Sequence, residues 1–534
     1  MDRPPSLSDE SDRPNVSHRS DSAAGSGASA DSGSTAGSVG TADPGGSDSA
    51  DLKTLGYNQK LRRTIGAYTS FALAFSMVSI NTGIVTLFTD PFNRVGGAAI
   101  LLWLLVIPMV FAIVLVYSHL AGRIPLTGYA YQWSSRLVGP HFGWFTGWIA
   151  LISFIAGTAA TAAAVGSVFA PEIWAHPTQG QVQMLSIGAT LVVCVLNVVG
   201  VRIATLVNNV GASIELAGTV LLGIVLAAGV LFAFGHTEGP AILTSTKPLD
   251  GSPITLTSVA LAALLPVYVL LGWEGAADLA EETNDPRRTT PRAMIRAVAV
   301  SGAMGLVIFA LLAMALPSSP TKFLTGASNP VLHLVGAQVG GFARALMVIV
   351  AFASIFACLI GNMTVATRMT FALSRDHMLP GSKAMASLGA RTRAPVVAIL
   401  FVTAVAVLMN FLNAGLVAKI FAMVGLTYYL TYALTLIATA IAHRKGRIPS
   451  APAGVFDLGR WLWPTLVVGL VWATVVIAVL TIPQVNNQTA VTTVIAIAFG
   501  LLWWLVSLRR RLNAGTAGPP TTLTPAPAPA PAID

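Results

Sequence analysis

Twelve long apolar stretches dominate the sequence and limit what it can fold into. They fall near 64–89, 97–121, 142–170, 181–201, 205–234, 254–280, 294–317, 342–374, 395–413, 416–442, 463–483 and 488–508. Most reach or exceed the roughly 20 residues that carry a helix across a bilayer. A lipid-embedded backbone must satisfy its own polar groups, which leaves helices and closed barrels; runs this long specify helices. Hydrophobic residues make up 54% of the chain and charged residues 10%, against about 25% charge in an ordinary soluble domain. The mean hydropathy is +0.72. No soluble fold of 534 residues hides that much apolar surface. The expectation is an all-α polytopic membrane protein with twelve transmembrane helices.

Residues 1–50 carry Ser, Gly, Ala and Asp and lack the apolar core of a signal peptide. The first apolar segment therefore reads as the first span. The expected organisation is a disordered tail over 1–55, ten helices over 56–442, two more over 443–511, and a second disordered, Pro-Ala-rich tail over 512–534. The two cysteines, Cys194 and Cys358, sit in apolar stretches without metal-site spacing. They read as small buried hydrophobes. No metal site, resident cofactor or phosphate-cradling glycine loop is expected.

Charge sets the orientation. Residues 1–50 hold eight acids and three arginines, and the remainder of the chain is strongly basic. That excess recurs in short groups between apolar segments, the pattern of the positive-inside rule, and it argues against a nucleic-acid partner. With the N-terminus inside, 23 of the Lys and Arg residues beyond residue 50 fall on the inner side. Only Arg94, Lys247, Lys322, Arg344 and Lys419 fall outside. The split predicts both termini in the cytoplasm and a plasma (inner) membrane location.

Two spans are interrupted. The first contains Ser79-Ile80-Asn81-Thr82-Gly83, small and polar at mid-membrane; the sixth contains Gly272-Trp273-Glu274-Gly275. Breaks at matching positions of two halves point to a transporter's binding site. A spacing of five helices also makes the halves run in opposite directions. At the first break, N–H groups near Thr82, Gly83 and Ile84 are expected to meet a substrate carboxylate at a half-helix N-terminus, with Gly83 allowing close approach. Helix packing is the alternative reading for these small residues. At the second, Glu274 is an ionisable group near the bilayer centre, which is costly and points to function. It suits a substrate ammonium or a coupling proton, against the alternative of a cross-bundle hydrogen bond. Trp273 reads first as packing, and Tyr268 as an aromatic lid. Glu215, alone in the apolar fifth span, is a second coupling candidate or a structural partner of a neighbouring helix. Ser354, Asn362 and Thr364 add polar groups in span eight.

Several motifs add a resemblance. Leu55 to Arg63 reads Leu-Gly-Tyr-Asn-Gln-Lys-Leu-Arg-Arg, and Ser70-Phe71 precedes Phe75-Ser76. Pro125 to Trp133 reads Pro-Leu-Thr-Gly-Tyr-Ala-Tyr-Gln-Trp. Glu281-Glu282-Thr283-Asn284-Asp285-Pro286 is followed by Pro291. Ala372 to Pro380 reads Ala-Leu-Ser-Arg-Asp-His-Met-Leu-Pro. In this order and spacing the chain resembles the amino acid–polyamine–organocation superfamily over roughly 55–510. Its nearest likeness is the subfamily of amino acid, gamma-aminobutyrate and choline permeases. The resemblance implies a five-plus-five inverted repeat with discontinuous helices 1 and 6 and two added helices. It places the substrate loop on Asn81, Thr82 and Gly83, where relatives usually carry Gly-Ser-Gly. The Gly-aromatic-Glu of span six falls on Gly272, Trp273 and Glu274, and the gating aromatic on Tyr268. Where some proton-coupled relatives carry a span-five lysine, the nearest position here is Glu215. Ser79 and Ile84 complete the expected substrate-binding set.

The implied activity is uptake of an amino acid or related amine by alternating access. The substrate would sit between spans one and six, with contacts from three, eight and ten. Proton coupling is expected, and sodium stays open as the ion. An exchanger or choline-type amine carrier is the alternative within transport. An intramembrane enzyme would need a nucleophile and base on facing helices, and no such pair is evident.

Overall fold

The computed structural model describes residues 51–232, 237–317, 320, 329–411, 417–484 and 487–520. The expected disordered stretches at 1–50 and 521–534 lie outside the described residues. Packed structure begins before residue 55 and continues past 512. Asp51–Thr54 form a helical turn, Leu52 and Leu55 are buried, and the Gly518 N–H bonds the Asp376 carbonyl at 2.9 Å. The tail boundaries expected from composition are corrected accordingly. Two leucines with apolar ground to cover outweigh the polar residues beside them.

The architecture is helical, with only isolated bridges such as Ile65 to Thr283 among the described residues. Span one is α1 (Ala67–Val78) and α2 (Ile80–Leu87), followed by the short α3 (Thr89–Val95). Then come α4 (Ile100–Ala121), α5 (Tyr129–Leu137), α6 (Pro140–Ile173), α7 (Gln179–Val199) and α8 (Val201–Phe232). Span six is divided among α9 (Leu256–Ala262), α10 (Leu264–Val269) and α11 (Gly275–Asp278). The second half continues with α12 (Pro286–Met314), α13 (Pro330–Val339), α14 (Gly341–Arg375), α15 (Ser382–Met385), α16 (Val396–Phe411) and α17 (Val417–Arg444). The chain closes with α18 (Leu462–Thr481), α19 (Asn487–Trp503) and α20 (Arg509–Asn513). Ten helical stretches among the described residues are long and apolar enough to cross a membrane; Leu256–Val269, Pro330–Val339 and Val396–Phe411 are shorter apolar helices. Leu, Val, Ile and Phe side chains such as Leu101, Val195, Ile224 and Phe499 stand exposed on the outside of the bundle.

The two breaks lie together in the centre. Ser79 separates α1 from α2 with φ 46° and ψ 75°, a left-handed conformation that costs an L-residue about 1–2 kcal/mol. Gly272 opens the other break at φ +89°, where a Cβ would come within 3.0 Å of Met77 Cβ. A Cβ on Gly275 would overlap the Met77 sulfur. Met77, two residues before the first break, is thus bedded in the glycines of the second.

At the end of the bundle that carries the basic loops, four of the sequence motifs meet. Arg368 makes a two-pronged pair with Glu282 at 2.8 and 3.3 Å. Arg375 reaches both oxygens of Glu281 at 3.0 and 2.8 Å. Glu281 also accepts from the Thr127 N–H and Asp278 from the Gly128 N–H. Asp376 accepts from Tyr57, Tyr131 and Gln132 at 2.7 to 2.9 Å. The Arg375 guanidinium lies 3.8 Å from the centre of the Tyr57 ring. All four of Arg368, Glu282, Glu281 and Asp376 are buried. Removing one partner of such a pair leaves a buried charge uncompensated, at about 3–5 kcal/mol, whereas removing both costs far less. Arg368→Met is therefore expected to lower the melting temperature of the purified protein sharply. The double variant Arg368→Met/Glu282→Met is expected to recover most of that loss. Equal melting temperatures for single variant and wild type would show that the pair carries no such charge.

Candidate functional site

A cavity of about 70 Å³ opens beside the two breaks. At roughly 10–15 Å³ for each water-sized occupant, it holds about five, the scale of a small amino acid's skeleton. Its wall takes Ser79, Thr82, Gly83 and Thr86 from span one and Tyr268, Val269 and Leu271 from span six. Continuous helices supply the rest: Thr161 of α6, Cys358 and Asn362 of α14, and Val424 and Tyr428 of α17. Among the described residues no Asp, Glu, Lys or Arg lines it.

The break in span one is a single residue, and that corrects the expected carboxylate cradle. The helix resumes at Ile80, so the Gly83 N–H already bonds the Ser79 carbonyl at 3.3 Å and Ile84 lies within the α2 ladder. Neither has a free N–H to offer. The free donors are those of the first helical residues, and the Asn81 N–H points at Glu215, 3.5 Å away. The carboxylate at the α2 N-terminus is thus the protein's own. Gly83 serves packing as well, since a Cβ there would overlap Val269 Cγ2.

Of the expected substrate-binding residues, the cavity brings together Ser79, Thr82, Gly83 and Tyr268. Asn81 points to α8, where its side chain donates to Thr219 at 2.7 Å. Ile84 is fully buried in the core. Gly272 lies behind Met77, and Trp273 stacks on Tyr432 with centroids 5.4 Å apart. Glu274 turns the same way and accepts the Tyr432 hydroxyl at 3.0 and 2.9 Å. Tyr117 stands edge-on to both Trp273 and Tyr432. Glu274 is therefore boxed by aromatic rings between spans two, six and ten rather than facing the cavity.

Glu215 is reached from the cavity by a row of hydroxyls. Thr82 and Ser79 in the wall share a hydrogen bond. Ser79 pairs with Ser354 at 2.7 Å, and Ser354 donates to Glu215 Oε1 at 2.7 Å. Glu215 is fully buried, and its second oxygen has no partner among the described residues. The break and the acid are legible separately in the amino-acid pattern; the hydroxyls that join them come from span one and α14. Thr161, Cys358 and Tyr428 carry no break signal in their own helices and were not expected at the site. The Tyr428-Tyr429 pair with Tyr432 one turn on is the sequence signal that could have found Tyr428.

Gly83 touches Val269 across the cavity, so Gly83→Val forces α2 away from α10. The expected result is loss of substrate uptake in reconstituted vesicles with the protein still folded by thermal unfolding. Retained uptake would separate the cavity from the transport path.

The geometry finds its counterpart among known proteins. The sequence model of the amino acid permease family matches residues 65–506. The chain is 25% identical to the amino-acid permease BAT1 of Arabidopsis thaliana, over 87% of this chain and 95% of that one. It is 24% identical to the BAT1 homolog of Oryza sativa subsp. japonica, with 87% and 95% covered. It is 22% identical to amino-acid permease 2 of Neurospora crassa, with 85% and 86% covered. With a family match across the whole helical body and a central cavity between two broken spans, this multi-pass membrane protein belongs to the amino acid permease family of transporters.

Proposed function

We propose that the protein imports a small zwitterionic amino acid across the plasma membrane, coupled to a proton through Glu215. The uncharged cavity is the observation that carries the substrate class. A buried net charge without a counter-ion is costly. A zwitterion has none, and its two poles fit the dipoles and hydroxyls of this wall. Its ammonium faces the carbonyl ends of α1 and α10, where helix dipoles are negative. Its carboxylate faces the hydroxyls of Thr82, Thr86 and Thr161 and the Asn362 amide. Choline and polyamines would bring an uncompensated positive charge. The inner location of both termini rests on the 23-to-5 division of basic residues. Twelve crossings follow if the shorter Leu256–Val269 and Val396–Phe411 helices complete the sixth and ninth spans.

Coupling follows from where Glu215 sits. Charged, it holds the α2 N-terminus and repels a substrate carboxylate on the other side of Ser79 and Ser354. Protonated, it releases that dipole to the substrate. Proton and substrate then favour each other's binding, and the reciprocity is required by linkage. The hydroxyls of Thr82, Ser79 and Ser354 give the proton a path between cavity and acid. The groups that bond Glu215 among the described residues are the neutral Asn81 and Ser354; the titratable thiol of Cys358 lies in the cavity wall. Glu274 anchors the second break to span ten through Tyr432.

Two measurements test the reading. Thermal stabilisation of the purified protein is expected with small neutral amino acids and absent with choline and polyamines. Stabilisation by choline alone would overturn the substrate class. In vesicles, Glu215→Gln is expected to keep substrate exchange and lose accumulation driven by an inward proton gradient, with Ser354→Ala slowing that accumulation. Gradient-driven accumulation unchanged in Glu215→Gln would reject Glu215 as the coupling group. Glu274→Gln in the same assay separates the two acids.

A further inference from the structure

A second recess lies at the basic end of the bundle, away from the transport cavity. Its volume is about 300 Å³, and Arg62, Arg202, Arg391 and Arg393 all line it. None of these four has a carboxylate within ion-pairing distance among the described residues. The acid in the wall, Glu282, is already taken by Arg368. The recess therefore concentrates positive charge that the described residues do not balance.

The arginines are held in place by built structure. Gly200 turns the corner between α7 and α8 at φ +136°, and a Cβ there would touch Thr392 at 3.7 Å. The loop carrying Arg391 and Arg393 thus sits on that corner. It is closed by the Gly389 N–H on the Ala394 carbonyl at 2.9 Å and the Arg393 N–H on the Gly389 carbonyl at 3.0 Å. Arg202 stands in the first turn of the 32-residue α8, whose N-terminal dipole adds to the attraction for an anion.

Beside the arginines the wall is apolar and open. Val199 and Ile203 line the recess and are 52% and 40% exposed. The stripe continues along both helices, through Val192 and Val195 on α7 and Leu206 and Val210 on α8, all exposed. These residues lie at helical spacing on faces that a bilayer covers. Charge at the head and an exposed apolar face beside it match one class of ligand. We propose that this recess binds an anionic phospholipid of the surrounding bilayer, its phosphate among the four arginines and an acyl chain along the exposed apolar faces of α7 and α8. A soluble anion would have no use for the apolar face. The acidic stretch at 1–50 would match the charge, but its larger apolar residues, Met1, Leu7, Val16 and Val39, are isolated and form no run to cover the apolar face. Because the recess joins the segment before span one, the α7–α8 corner and the loop before α16, the lipid would tie together the inner ends of spans that belong to both halves.

The test uses the full-length protein and two lipids, phosphatidylglycerol and phosphatidylcholine, with binding read by native mass spectrometry and by shift of melting temperature. Phosphatidylglycerol is expected to remain bound and to raise the melting temperature, and phosphatidylcholine to do neither. Each arginine near an anionic lipid is worth about fivefold in affinity. The triple variant Arg202→Gln/Arg391→Gln/Arg393→Gln is therefore expected to lose about a hundredfold, and Arg391→Gln alone, which keeps folding secure, about fivefold. Arg509→Gln/Arg510→Gln/Arg511→Gln removes the same charge elsewhere and is expected to leave binding nearly unchanged. Equal losses in both triple variants would mean general attraction to the surface and overturn the site. So would equal binding of phosphatidylcholine. Full displacement of the lipid by millimolar inorganic phosphate would make it a soluble-anion site. If the arginine variant lost stability equally in pure phosphatidylcholine, the occupant would be part of the chain itself.

Discussion

The fold is held in register by two buried carboxylate–guanidinium pairs, Glu281 with Arg375 and Glu282 with Arg368. Charges this deeply buried are tolerated only when geometry and extra hydrogen bonds compensate them. Here the compensation comes from four separate parts of the chain. The segment before α1 brings the Tyr57 ring to Arg375, the loop after α4 brings the Thr127 N–H to Glu281, the end of span six brings the acids, and α14 brings the arginines. The Glu282 carbonyl also takes the N–H groups of Thr64 and Ile65. The two broken spans are thereby fastened at one end. Their other ends are held mainly by apolar packing, which is not directional.

That asymmetry bears on the site. The cavity wall is shared among helices of both halves, and its polar groups are hydroxyls, an amide and a thiol rather than ions. A substrate with balanced charge can complete contacts on several helices at once without any of them having to shed a counter-ion. Among the described residues the one acid tied to the cavity is Glu215, which communicates through Ser354 and Ser79, from different segments of the chain. Any movement of span one relative to α14 opens that row of hydroxyls.

Much of this was legible in the amino-acid sequence, for identifiable reasons. The apolar segments coincide with the helices because hydropathy is what lipid selects. Span seven is the instructive exception. Its helix begins at Pro286 rather than near 294 because Arg287, Arg288 and Arg292 make the first two turns polar, which hydropathy does not register. The breaks at Ser79 and Gly272 were legible as clusters of small and polar residues. Which way a side chain turns at a break was not. Glu274 and Thr82 both flank a break, yet one is walled in by Trp273 and Tyr432 and the other faces the cavity. Thr161 and Tyr428 reach the cavity from unbroken helices, where a single inward residue leaves no periodic trace.

Ser79 has one more consequence. A break of one residue leaves the hydrogen-bond ladders of α1 and α2 almost whole, with Ser79 donating backward to Phe75 and accepting forward from Gly83. The two rods keep their length and winding, and the change of direction between them falls on one residue. Such a joint behaves like a universal coupling in a drive shaft. It transmits rotation and thrust from one rod to the other while letting them point in different directions. A longer unwound loop would absorb the displacement instead of passing it on.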